Sequence, residues 1–101
     1  MSGSLNLFEF TNVSFLSSPD TANKCRAELE RILQYHKKVE IDFSDVYVTR
    51  GFLEQFCVPI IKNRGGEFLD CIYFANCTDA TQFNITEMLK PYQKSSISSH
   101  D

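Results

Sequence analysis

The fold is decided by five residues in the middle of the chain, Val39-Glu40-Ile41-Asp42-Phe43, in which apolar and acidic side chains alternate. A period of two is typical of a β-strand that buries one face. Upstream the period changes, because apolar residues recur every three or four positions from Ala22 to His36, as on one face of a helix. A helix that leads directly into a strand predicts an α/β fold.

The helix has a clear start signal in Ser17-Ser18-Pro19-Asp20 and is predicted over residues 19–37. Before it, the apolar stretch from Leu5 to Phe10 is a candidate first strand, with Leu7 pointing inward and Phe8 as a second candidate for an inward position. Residues 11–15 either continue that strand or begin the second strand of a hairpin. The distance from the first strand to Val39 allows a helical crossover, which favours parallel pairing of the two strands.

A second helix is predicted to begin at Thr49 and to end at Gly65-Gly66. Pro59 lies late in this helix and has no amide hydrogen for the carbonyl of Gln55, so a kink is expected there. The predicted buried face of the helix consists of Phe52, Leu53, Phe56, Cys57, Ile60 and Ile61.

The last third of the chain predicts another strand and another helix. The continuous apolar run Cys71-Ile72-Tyr73-Phe74-Ala75 is typical of a strand covered on both faces. A helix then begins at Thr78 or Asp79. Its apolar positions are Phe83, Ile85, Met88, Leu89 and Tyr92.

Together these elements predict an α/β domain with an open, mixed or partly parallel sheet of three to five strands and about three helices. We expect one domain over residues 1–94 and a disordered polar tail over residues 95–101. The first strand is expected to leave an unpaired edge, to which another chain could add a strand. A homodimer is therefore one alternative for assembly.

Composition excludes several classes of function. The 101-residue chain has a formal charge of -3, whereas nucleic-acid binders usually carry a basic excess. No apolar run reaches the roughly 20 residues needed to span a bilayer, and the N-terminus does not resemble a signal peptide. Ser2-Gly3-Ser4 is compatible with a cloning remnant. We expect a cytoplasmic protein that binds neither membranes nor nucleic acid.

The four cysteines do not form a metal-binding pattern. No two of them have CxxC spacing, and the chain has only two histidines, His36 and His100. We therefore expect no metal and no cofactor, and interpret the cysteines as reduced, structural residues.

Three stretches resemble the STAS domain, the fold of anti-sigma-factor antagonists and sulfate-transporter tails, and most of all the small bacterial STAS-like family of unknown function. They are Phe15-Leu16-Ser17-Ser18 with the following helix, Val39 to Val46, and Thr49-Arg50-Gly51-Phe52-Leu53-Glu54. Asn76 also fits the family's pattern. The resemblance covers roughly residues 14–92 and implies a regulatory protein-protein interaction module.

In this family the second helix and the turn before it form the surface that contacts partners. The resemblance therefore implies a partner-binding surface here, made of Asp45, Tyr47, Thr49, Arg50, Glu54 and Gln55. In anti-sigma-factor antagonists a serine at the start of that helix is phosphorylated. Thr49 is the only hydroxyl near that position, so it is a candidate phosphoacceptor, although a helix-capping role is favoured.

Catalytic readings are less favoured. Asp42, Ser44 and Asp45 lie where ligands usually dock in an open α/β sheet, yet a carboxylate there also serves to hold the turn. Cys77 follows the third strand without a histidine nearby to act as its base. We thus expect a non-enzymatic adaptor of bacterial or phage origin. The alternatives are a phage-encoded inhibitor of a bacterial defence system and a small cysteine- or carboxylate-dependent enzyme.

Overall fold

Ten elements follow one another along residues 2–93, the part of the chain that the computed structural model describes. They are β1 (Ser2–Asn6), α1 (Leu7–Thr11), β2 (Phe15–Leu16), α2 (Pro19–Leu33), β3 (Lys38–Asp42), β4 (Tyr47–Val48), α3 (Arg50–Arg64), α4 (Glu67–Cys71), β5 (Ile72–Ala75) and α5 (Asp79–Gln93). The predicted α/β fold is confirmed, and the three predicted helices are α2, α3 and α5. The predicted tail at 95–101 lies outside the described residues.

The main sheet has three strands in the order β1-β3-β5, and both pairs are parallel. Leu5 lies opposite Ile41, and Ile41 lies opposite Phe74, so one row of apolar side chains crosses the sheet. Parallel pairing through a helical crossover is thus confirmed. The strand that the alternating pattern predicted is central, and β1 is an edge strand as expected.

The first strand is shorter than predicted, because the chain turns into α1 after Asn6. The Asn6 side chain caps this helix by accepting a hydrogen bond from the Glu9 amide at 2.8 Å. Leu7 is fully buried as predicted, whereas Phe8 and Phe10 are exposed. The prediction of a strand through Phe10 is therefore wrong, since a local capping signal overrides the apolar run.

Residues 15–16 form β2, which pairs in parallel with β4 as a separate two-stranded sheet. The hairpin alternative is wrong, because a hairpin requires antiparallel neighbours. The Tyr47 amide donates to the Ser14 carbonyl at 2.8 Å, and the Thr49 amide donates to the Leu16 carbonyl at 3.1 Å. This pairing sets the starts of α2 and α3 side by side.

The three long helices form a layer in which α3 lies between α2 and α5, and α2 also packs on β1 and β3. The opposite face of the sheet carries Ser4, Glu40 and Tyr73, of which Tyr73 is 66% exposed. The prediction that the third strand is covered on both faces is therefore wrong. The row of polar side chains explains how this face is solvated.

The core is one continuous cluster between the sheet and the helices. Its largest fully buried side chains include Phe43, Phe52, Phe56 and Phe68. All six residues predicted for the buried face of the second helix are buried there. In α5, Ile85, Met88 and Leu89 are buried as predicted, but Phe83 is 63% and Tyr92 36% exposed.

The helix boundaries follow the capping residues. Ser18 accepts hydrogen bonds from the Asp20 and Thr21 amides, and Thr78 accepts one from the Thr81 amide at 3.1 Å. Gly65, with a φ of 65°, ends α3 as predicted. At its C-terminal end α2 stops at Leu33, earlier than predicted, and half-buried His36 lies beyond it.

Gly3 occupies a position in β1 where no side chain fits. A Cβ atom there would lie 2.5 Å from Cγ2 of Ile32 and 2.9 Å from Cδ2 of His36. The close contact between β1 and the C-terminal end of α2 depends on this glycine. Ser2-Gly3-Ser4 is thus part of the sheet and does not behave as an appended linker.

Candidate functional site

The carboxyl ends of β1, β3 and β5 meet at one edge of the main sheet, where Asp42 is the centre of a hydrogen-bond network. Its Oδ1 accepts from the Ser44 amide at 2.9 Å, from the Ser44 hydroxyl at 2.7 Å and from Asn76 Nδ2 at 2.9 Å. Its Oδ2 accepts from Asn6 Nδ2 at 3.1 Å. One carboxylate therefore connects residues at the ends of all three strands.

This network fixes the charge of Asp42. The hydrogen bonds from Asn76, Ser44 and Asn6 lower the pKa of the carboxyl from 3.8 to about 2, because each donor stabilises the charged form. A carboxylate with so low a pKa is a poor general base near neutral pH. As predicted, Asp42 accepts a backbone hydrogen bond in the turn after its strand, but this turn leads into β4 and not directly into a helix.

Backbone geometry supports the network on two sides. Asn76 has a φ of 59° and Asp45 a φ of 64°, the left-handed region that asparagine and aspartate tolerate better than most residues. The left-handed turn at Asn76 follows β5 directly, and its side chain reaches back to Asp42. Asp45 itself is exposed and projects from the turn between β3 and β4.

Two aromatic rings form a stacked pair on the small parallel sheet. Phe15 and Tyr47 lie opposite each other on β2 and β4, with centroids 5.4 Å apart and ring planes 4° from parallel. Phe15 is 55% and Tyr47 43% exposed, while their neighbours Leu16 and Val48 are fully buried. The result is a half-exposed aromatic pair directly before the start of α3.

Thr49 serves as the N-cap of α3. Its hydroxyl oxygen accepts a hydrogen bond from the Phe52 amide at 3.1 Å, as the favoured reading of this residue predicted. The side chain is half-buried. A phosphate on this oxygen would replace the acceptor that holds the first turn.

The first turns of α3 carry an exposed charge cluster. Arg50 lies 3.3 Å from a carboxylate oxygen of Glu54 and 3.9 Å from one of Glu87 on α5. Glu87 also pairs with Lys90 at 2.8 Å, and the two cations lower its pKa, Lys90 more strongly. The side chains of Arg50 and Glu54 are half exposed, so this cluster is accessible to a partner.

Beside the cluster, α3 and α5 enclose a shallow groove of about 350 Å³. Arg50, Glu54 and Glu87 line one part of it. The remaining lining residues are Gln55, Val58, Pro59, Met88, Pro91 and Tyr92. The groove combines an apolar floor with an ion-paired rim, as protein-binding surfaces often do.

The surroundings of Cys77 do not activate it as a nucleophile. Partial burial raises the pKa of the Cys77 thiol, and the nearby charge of Asp42 raises it further. Cys25 and Cys57 are fully buried, and all four cysteines are free. A catalytic cysteine needs a lowered pKa, whereas the environment of Cys77 raises the pKa of its thiol.

The structure brings the predicted partner-binding residues onto neighbouring segments. Asp45, Tyr47, Thr49 and Arg50 follow one another along the turn, β4 and the start of α3, and Glu54 continues the exposed face of α3. Gln55 is also exposed, and its carbonyl accepts a hydrogen bond from Arg26. Sequence reasoning missed Phe15, since only strand pairing reveals that it stacks on Tyr47.

Within residues 2–93, no group of three or more His, Cys, Asp or Glu side chains has a geometry that could hold a metal ion. In the same part of the chain, no helix combines the length and the apolar composition that crossing a bilayer requires. Neither family models, nor curated proteins, nor solved structures match this chain. The resemblance to STAS domains stays a prediction, and the site must be interpreted from its own geometry.

Proposed function

We propose that this protein is a non-enzymatic adaptor that binds another protein through the surface formed by β2, β4 and the start of α3. The observation that carries the proposal is the stacked pair of Phe15 and Tyr47, whose rings are 55% and 43% exposed. Exposed aromatic side chains on a rigid support are typical of the residues that dominate binding energy in protein interfaces. We name this region the docking surface and define it by Phe15, Asp45, Tyr47, Arg50 and Glu54.

The docking surface is attached to the hydrophobic core and to α5. Phe15 is followed in β2 by Leu16, and Tyr47 is followed in β4 by Val48. Both Leu16 and Val48 are fully buried in the core. Asn84 on α5 donates to the Val48 carbonyl at 3.2 Å, which ties β4 to a second helix. A preorganised surface loses less conformational entropy on binding, so its contacts contribute more affinity.

The state of the candidate catalytic groups supports a binding function over catalysis. Asp42 accepts four hydrogen bonds from its own chain, and the pKa of Cys77 is raised. Neither group has the properties of a general base or an activated nucleophile near neutral pH. The adaptor proposal needs neither of them.

The test compares capture of cellular proteins by immobilised wild-type protein and by surface variants. We expect the double variant Phe15→Ser/Tyr47→Ser to lose the captured partner. Tyr35→Ser is the matched control, since Tyr35 is 73% exposed but lies beyond the C-terminal end of α2, the opposite end from the docking surface. Exposed substitutions change stability by less than about 0.5 kcal/mol, so all variants should melt near the wild-type temperature.

Two outcomes contradict the adaptor proposal. One is a partner that binds the Phe15→Ser/Tyr47→Ser variant as strongly as it binds the wild type. The other is the absence of any specific partner combined with an enzymatic activity that Asp42→Asn or Cys77→Ser abolishes.

A further inference from the structure

The docking surface lies at an acidic end of the molecule. Besides Glu54, which pairs with Arg50, four exposed carboxylates lie at the carboxyl edge of the main sheet and in the first turns of the helices that start there: Glu9, Asp20, Asp45 and Asp79. Three of them lie in first turns, where a carboxylate is favoured by the helix dipole. Asp45 lies in a turn outside any helix, so the dipole does not account for it.

Few cations offset this negative charge. The guanidinium of Arg50 is already close to carboxylates of Glu54 and Glu87. Lys24 lies one turn further along α2, beside Phe10 and Val13. The opposite end of the molecule differs, since Lys37, Lys38, Lys62 and Arg64 are found there alongside Glu67 and Asp70.

Half-exposed aromatic rings beside carboxylates favour a cationic partner group. A guanidinium stacks on an aromatic ring through cation–π attraction and at the same time forms hydrogen bonds with a carboxylate. Phe15 and Tyr47 supply the rings, and Asp45, two residues before Tyr47, supplies an exposed carboxylate. An acidic partner segment would be repelled by the same charges.

We propose that the partner presents a basic segment, and that an arginine of this segment stacks on the Phe15–Tyr47 pair while other cations lie near the carboxylates around it. This inference rests on the proposed function, since it assigns a chemistry to the partner of the docking surface. The same field steers basic partners toward this end during encounter, so association slows as salt is added.

The test selects binding peptides from a random library and compares the charge of the enriched sequences with that of the library. Random peptides displayed on phage are selected on the wild-type protein after removal of binders to the Phe15→Ser/Tyr47→Ser variant. We expect the enriched sequences to contain an excess of arginine and lysine. Replacing one critical arginine of a selected peptide by alanine should weaken its binding about tenfold, as loss of a stacked and ion-paired guanidinium predicts.

A pair of neutralising variants tests the contribution of charge. Asp45→Asn keeps a residue that tolerates the left-handed turn, and it should weaken binding of the selected peptides several-fold. Asp70→Asn, an exposed change on α4, is the control and should leave binding unchanged.

The outcomes separate this inference from the adaptor proposal. If the enriched peptides are neutral or acidic but still require Phe15 and Tyr47, the basic-segment inference is overturned and the docking surface stands. If no enriched peptide requires the two rings, both proposals fail.

Discussion

Gly3 shows how one residue sets the distance between two elements. The missing Cβ lets β1 approach Ile32 and His36 at the C-terminal end of α2, a contact that no sequence pattern indicates. The segment around Gly3 has the small, polar composition of a linker. Only the packing of the strand against the helix reveals why a glycine is required there.

We expect Gly3→Ala to destabilise the protein by about 1–3 kcal/mol, the usual cost of forcing an extra methyl group into a packed site. Chemical denaturation monitored by circular dichroism measures this loss. Gly51→Ala is the matched control, because a Cβ at Gly51 meets nothing within 4 Å and alanine is the better helix former. A Gly3→Ala protein as stable as the wild type would show that β1 does not pack as described.

The lowered pKa of Asp42 makes the free energy of unfolding depend on pH. The folded-state pKa of about 2 lies below the ordinary value of 3.8, so the folded protein binds this proton less readily than the unfolded chain. The stabilisation is fully present above about pH 4 and is lost as the pH falls through about 2. Because the residue is half-buried, we expect a contribution of roughly 1–2 kcal/mol.

The measurement is urea unfolding of the wild type and Asp42→Asn between pH 7 and pH 2. The difference in free energy of unfolding should shrink toward zero at the acidic end, where Asp42 itself becomes protonated. Arg31 and Lys90 lower the pKa values of Glu28 and Glu87, and these shifts affect both proteins equally. A difference that stays constant with pH would contradict the role of the Asp42 charge.

At the scale of elements, a long-range contact compensates for a local defect in α3. Pro59 cannot donate to the carbonyl of Gln55, as the sequence predicts. Arg26 on α2 donates to that carbonyl instead, through Nη1 at 2.6 Å. The defect thus becomes a point of attachment between the two helices.

We expect Arg26→Met to cost about 0.5–1.5 kcal/mol in the wild type, the usual net value of such a hydrogen bond. In a Pro59→Ala background the new amide can bond to Gln55, so the same change should cost much less. A double-mutant cycle measured by denaturant unfolding gives the coupling. Arg31→Met, which removes the exposed ion pair with Glu28, is the control and should cost the same in both backgrounds.

The sequence predicts an element well when its signal is local. The period of β3, the caps Ser18 and Thr49, and the stop at Gly65 all depend on neighbouring residues, and each prediction is confirmed. Of the two alternatives for the start of α5, Thr78 is the residue that caps it. The burial of individual positions is predicted less well. Tyr73 and Phe83 are apolar enough for the core, yet Tyr73 lies on the uncovered face of the sheet and Phe83 on the exposed side of α5.

The candidate site follows the same rule. The sequence places Asp45, Tyr47 and Arg50 on one continuous segment, so their proximity could be predicted. Phe15 lies more than thirty positions earlier and joins them only because β2 pairs with β4. The network around Asp42 likewise unites the ends of three strands. Of its distant partners Asn6 and Asn76, the sequence pattern singles out only Asn76.

At the scale of the whole molecule, the reactivity of the buried thiols measures how often the protein unfolds globally. Burial raises the pKa of Cys25 to about 11, and burial with the neighbouring Cys25 raises the pKa of Cys57 still further. Cys71 and Cys77 are half-buried. The four cysteines therefore divide into a buried pair between α2 and α3 and two that are partly accessible.

We expect iodoacetamide to modify Cys71 and Cys77 in the native protein at least about a hundredfold faster than Cys25 and Cys57, which require the molecule to open. Mass spectrometry of digested samples measures each rate separately. In concentrated urea all four should react at similar rates. Rapid native labelling of Cys25 or Cys57 would mean that α2 and α3 separate without global unfolding.

The central place of β3 also governs how the chain can fold as it is synthesised. β1 emerges first, yet its only partner in the described sheet is β3, which begins at Lys38. A nascent chain that ends before Lys38 has no complementary strand, so its first third must wait while a long loop remains to be closed. The edge strand β1 is therefore synthesised long before its partner, and the main sheet can begin to pair only after β3 has been synthesised.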